Sequence, residues 1–87
     1  SMVGIAAGQR GRILAALAVE TRPLTADEIA PRAGLPAAHQ VQKRAVELER
    51  LGLVTVVDHL GLSRSGRRCA RYAITAAGAL AAPEVTA

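Results

Sequence analysis

The 87-residue chain has no tryptophan, no phenylalanine, one tyrosine, one cysteine and one lysine. Without large aromatic rings, the core has to be built from Ala, Val, Leu and Ile. That favours closely packed helices over a sandwich or a deep ligand-binding barrel. A single cysteine makes no internal disulfide. This excludes a small disulfide-stapled secreted scaffold and points to a reducing cytoplasm. The longest uninterrupted apolar run, Ile13 to Val19, is far short of the ~20 residues that cross a bilayer. No signal peptide is legible, because Gly8, Gln9, Arg10, Gly11 and Arg12 interrupt the first apolar stretch. Acidic residues are scarce as well: seven face eleven basic ones, for a net charge of +4, and ten of the eleven are Arg. Such a balance points to a polyanionic partner and leaves the fold open.

What remains fits one small domain. Ser1-Met2 reads as a remnant of tag removal, and residues 1–8 as a flexible N-terminus. The domain is expected over 9–82, with a frayed tail over 83–87. Apolar residues make up 51 % of the chain and recur at regular intervals, which argues against disorder within the domain.

Residues 9–20 predict a first helix, with Ile13, Leu14, Leu17 and Ala18 on one apolar stripe. Pro23 ends this segment. Thr25 followed three residues later by Glu28 predicts a capping box, so a second helix runs to about Ala33 and stops at Gly34 in the left-handed region. Pro31 lies inside that helix and should distort it or make it partly 3₁₀. A third helix is expected from Pro36 to Leu51. Val41, Ala45, Leu48 and Leu51 would face inward, with His39, Lys43, Val46 and Arg50 on the opposite face. Leu53 to His59 is rich in β-branched residues and strand-like, and Cys69 to Thr75 reads as its partner across a loop from Leu60 to Arg68. Pairing Val54 with Ile74 sets Val56 against Tyr72 and His59 against Cys69. A short terminal helix follows at 75–80.

The expected fold class is therefore α+β, mostly α: three helices, a two-stranded hairpin and a short C-terminal helix. The turn "AGLP" between helices two and three matches a helix-turn-helix. The stretch "LTADEIAPRAGLPAAHQVQKRAVELERLGLV" resembles the winged helix-turn-helix of bacterial transcription factors. The later "YAITAAGALA" resembles the segment that closes the wing in MarR-like and related repressors. The resemblance covers about residues 9 to 80. The long dimerisation helices that MarR-like proteins carry outside this domain have no counterpart in these residues.

The resemblance implies a cytoplasmic transcriptional regulator that binds double-stranded DNA, with helix 36–51 in the major groove and wing 60–68 on the backbone or minor groove. On the helix, Gln40 and Gln42 suit adenine edges, while His39 and Lys43 reach guanine acceptors; Arg44 completes this group. On the wing, Arg64, Ser65, Arg67 and Arg68 offer phosphate contacts. Four arginines less Asp58 leave +3 between residues 58 and 71. Arg10 and Arg12 are further phosphate candidates, each equally well explained as a solvated surface charge. A homodimer through the terminal helices, with Leu80 exposed, would supply the contact area that one small domain lacks. The alternative is a winged-helix protein-interaction module within a larger assembly, to which Val46, Glu47 and Glu49 are suited.

Other chemistries find little support. His59 and Cys69 are two potential metal ligands without the two more that zinc usually takes, and arginine neighbours would favour the Cys69 thiolate. No catalytic constellation, cofactor motif or small-molecule pocket is legible, so an enzyme is not expected. Single-stranded nucleic acid usually requires stacking aromatics, and Tyr72 is expected to be buried.

Overall fold

Residues 8–83 are described by a computed structural model. Of the flexible N-terminus expected over 1–8 and the frayed tail expected over 83–87, residues 1–7 and 84–87 lie outside the described residues. The elements run α1 (Gln9–Ala18), β1 (Leu24–Thr25), α2 (Ala26–Arg32), α3 (Ala38–Arg50), β2 (Val54–Leu62), β3 (Arg68–Ile74) and α4 (Ala76–Ala81). This is a small α+β fold: four helices and an antiparallel sheet of order β1-β3-β2 among the described residues. No helix among them is long and apolar enough to cross a membrane.

The core is aliphatic. Ile13, Leu14 and Leu17 of α1 meet Ile29 of α2 and Val41 and Leu48 of α3 in one buried cluster. Ala16, rather than Ala18, completes the buried stripe of α1. At the start of α2 the capping box is formed in full: the Glu28 amide donates to Thr25 Oγ1 at 3.2 Å and the Thr25 amide to Glu28 Oε1 at 2.9 Å. Gly34 ends this segment with φ +69°, a conformation that a Cβ would strain. Pro31 sits within α2 without a 3₁₀ segment. Its missing N–H falls where α2 is about to end, and the amides of Ala33 and Leu35 still find Ile29 and Ala30 carbonyls at 2.8 Å.

Three features around these helices differ from expectation. Helix α3 begins at Ala38 with Ala37 as N-cap, so Pro36 precedes the helix instead of opening it. Leu51 is its C-cap, still in the helical conformation, and is 57 % exposed, because at about 100° per residue it falls about 60° beyond the buried Leu48, at the edge of the inward stripe. Leu24 and Thr25 form a two-residue strand, paired with Tyr72 and Arg71 of β3. Burial of Leu24 beneath this pairing ties the start of α2 to the sheet.

The hairpin keeps its predicted register near the body and loses it further out. Val54 faces Ile74 and Val56 faces Tyr72, as the alternation implies. Two irregularities then follow, between Val56 and Asp58 and between Asp58 and Gly61. Cys69 consequently faces Gly61, not His59. Strand β2 also runs on to Leu62, which leaves a turn of only Ser63 to Arg67 where a longer loop was expected. Tyr72 is half-buried. At the other end, Thr75 caps α4 by accepting from the Gly78 amide, and its hydroxyl donates to the Gly52 carbonyl at 2.6 Å.

Candidate functional site

The polar face of α3 divides into exposed and engaged groups. His39, Gln42 and Lys43 are exposed, and Val46 beside them is 49 % exposed. Gln40 is only half-buried as a residue, yet its Oε1 is buried and lacks a hydrogen-bond partner. Arg44 is held from two sides. Its Nη1 donates to Glu47 Oε1 at 2.7 Å and its Nε to Gln9 Oε1 at 3.1 Å. The other Glu47 oxygen accepts from Arg10 at 3.2 Å. Glu47 thus gathers Arg10 and Arg44 and fastens the first turn of α1 to α3. The Arg44–Glu47 pair is a local i,i+3 contact, but the bonds that Gln9 and Arg10 make to it span 35 and 37 residues and are not revealed by local sequence.

The hairpin tip is built by its own short-range bonds. Gly66 has φ +83°, which lets the turn close. The Gly66 amide donates to the Ser63 carbonyl at 2.9 Å, and the Ser63 amide to the Arg67 carbonyl at 2.8 Å. Ser63 Oγ accepts from the Arg67 amide at 3.1 Å and bonds Ser65 Oγ at 3.0 Å. Ser63 is thus the organiser of the tip, a role that sequence reasoning missed. Its Ser-x-Ser-Gly context was the available signal. Ser65 contributes its hydroxyl to this network. Arg64, Arg67 and Arg68 all lie exposed around it.

Below the tip, Arg71 and Asp58 form a two-pronged ion pair, with contacts of 2.8 and 2.5 Å. The Arg71 hydrogen bonds, with a further one from the Leu60 amide, pull the Asp58 carboxyl down from 3.8 to about 2. Arg71 is thereby neutralised locally, so the net positive charge of this region resides at the tip. Beside it, Glu28 is held below its ordinary value, chiefly by the Thr25 amide of the capping box.

Counted by ion pairs within 4.0 Å, the basic side chains fall into two groups. Arg10, Arg22, Arg32, Arg44 and Arg71 have carboxylate partners. Arg12, Lys43, Arg50, Arg64, Arg67 and Arg68 have none among the described residues. Most of the unpaired charge therefore lies on α3 and the hairpin tip.

Cys69 is half-buried. Burial, with the charges of Asp27 and Glu28, pushes its thiol up, contrary to the thiolate-favouring effect expected from neighbouring arginines. With His59 out of register, the pair does not form a site. No cluster of three or more His, Cys, Asp or Glu suited to a metal exists among the described residues.

Comparisons with protein-family models, curated proteins and solved structures found no match.

Proposed function

We propose that this chain is a winged helix-turn-helix domain, MarR-like in its element order, that binds double-stranded DNA as a transcriptional regulator. The observation that carries the reading is the distribution of unpaired positive charge. Lys43 on α3 and Arg64, Arg67 and Arg68 at the tip are exposed and have no carboxylate within 4.0 Å among the described residues. Charges left unpaired in solution are the ones that displace counterions from phosphate. In this reading His39, Gln42 and Lys43 meet base edges in the major groove, and the tip follows the backbone or enters the minor groove. Gln40 joins them only if its amide turns outward, and Arg44 contributes mainly by holding α3 against α1. A dimer through the terminal helices would add contact area, and the 89 % exposure of Leu80 on α4 supports it. Sedimentation as a dimer, alone or on DNA, is the expected result.

The test is titration into labelled random-sequence duplex, read by fluorescence anisotropy over a range of salt. The logarithm of affinity should fall steeply with the logarithm of salt. Arg67→Ala with Arg68→Ala should flatten the slope by about 1.8, at about 0.9 for each phosphate that is no longer neutralised. Absence of binding at low salt would end the DNA reading.

A second reading, a protein-interaction module, draws on a different observation. Leu60 and Leu62 of β2 are 63 and 66 % exposed, alongside the exposed Val46 of α3. Apolar side chains this exposed are more at home against a protein than against phosphate. Under this reading the double arginine variant would have no duplex affinity to lose.

A further inference from the structure

We infer that Asp27 is a positioning residue: by accepting the Arg64 backbone amide, it fixes the arginine-bearing hairpin tip on the start of α2 and so sets where that tip meets duplex DNA. This rests on the DNA-binding reading above and adds a residue to it.

The distal half of the hairpin is not simply an extension of the sheet. Two irregularities interrupt the β2–β3 register on the way out. Two contacts beyond them fasten the hairpin to the start of α2. The first is Gly61, where an added Cβ would lie 2.5 Å from Thr25 Cγ2 and 2.9 Å from Arg71 Cγ. Only a glycine lets the strand lie this close to the cap of α2. The second is Asp27, in the first turn of α2, whose Oδ2 accepts from the Arg64 amide at 2.7 Å across 37 residues. The tip's internal bonds use the amides of Ser63, Gly66 and Arg67. They leave the Arg64 amide free to face α2, and Asp27 is its partner.

The charge makes this contact informative. A carboxylate close to arginines that bind phosphate repels the same phosphate. Electrostatics alone would therefore have Asp27 weaken binding. Its first-turn place in α2 favours a negative charge, but that effect does not require contact with the hairpin. Geometry and charge thus predict opposite signs when the side chain is removed.

The experiment compares wild type, Asp27→Ala and Asp27→Asn on the labelled duplex at one low salt concentration. Asparagine keeps an oxygen acceptor for the Arg64 amide and discards the charge; alanine discards both. Asp27→Ala should bind about threefold to tenfold more weakly than wild type, the effect of losing a charge-assisted hydrogen bond. Asp27→Asn should restore the binding that alanine loses. Amide hydrogen exchange, followed by NMR without DNA, gives an independent readout. Arg64 should be protected in wild type and Asp27→Asn, and unprotected in Asp27→Ala. Alanine binding as tightly as asparagine, or an unprotected Arg64 amide in wild type, overturns the assignment. Those results would leave the DNA reading standing, provided wild type binds. If wild type itself fails to bind duplex, both fall together, whatever the exchange data show.

Discussion

Ile13, Leu14, Ile29, Val41 and Leu48 of the three main helices are each at most 1 % exposed, whereas between His59 and Arg68 only Gly61 is buried. The two regions are held by different physics. The helices are located by removing aliphatic surface from water, a force with little directionality that tolerates no loss of volume. The distal hairpin is located by directional bonds: Arg71 to Asp58, Arg64 to Asp27, and the Ser63 network. Each such bond contributes modestly in exposed surroundings. Substitutions in the first region should therefore act on stability, and those in the second on the geometry of the hairpin and, under the proposed reading, on DNA binding.

The largest effect should come from Leu48→Ala. The side chain is fully buried in the cluster between α1, α2 and α3, and its loss should cost about 2–5 kcal/mol, read from the urea midpoint. For a domain this small, that is a large share of the total. Under the proposed DNA-binding reading, the salt slope of the fraction that stays folded should be unchanged. A normal midpoint would break the comparison at its firmer end. Gly78→Ala should follow, at about 1–3 kcal/mol. A Cβ there would collide with the Leu53 carbonyl oxygen and lie 2.7 Å from Ile74 Cγ1, so the seat of α4 has to move.

Thr25 belongs to both regions and can separate them. Its hydroxyl caps α2, and its methyl meets the hairpin at Gly61. Thr25→Ala should cost about 1 kcal/mol by loss of the cap. Thr25→Ser keeps the cap and removes only the methyl. The melting of the helices should then stay close to wild type, while hairpin amides near Gly61 exchange faster. Equal loss of stability in both variants would show that the methyl contact matters more than the cap.

The same division decides what could be read from sequence. The capping box of Thr25 and Glu28, the stop at Gly34 and the pairing of Val54 with Ile74 are set by neighbours or by simple alternation, and all are legible. Contacts between distant segments are not. Glu47 draws in Arg10 from 37 residues away, and Leu24 finds Tyr72 across most of the chain. Extending the period-2 alternation from Val54 through His59 gives a register that the two irregularities then break. Gly61 was the signal for them, since a glycine inside a strand marks a bulge or a close approach. On α3 the exposed face was legible from periodicity. The i,i+3 pair of Arg44 with Glu47 was legible too; the burial of Gln40 Oε1 and the bonds from Gln9 and Arg10 of α1 were not.

Acid should produce the smallest effect, and the one most confined to the hairpin. Arg71 holds the folded-state Asp58 carboxyl at about 2, against an ordinary 3.8. A depressed carboxyl contributes stability above its unfolded value and loses it as pH falls toward the folded one. The Asp58 contribution is therefore intact above about 3.8 and disappears between there and about 2. Glu28, lowered from 4.5 at the adjoining α2 cap, adds a loss of the same sign beginning below its ordinary value. Asp58→Asn should flatten the fall in stability across the lower window, measured as urea midpoints at a series of pH values. Amide exchange in that window should rise first in β2 and β3 beyond Asp58, with the core amides of α1 and α3 following only at global unfolding. Simultaneous loss of protection in both regions would mean that the distal hairpin and the helices form one cooperative unit, despite their different means of support.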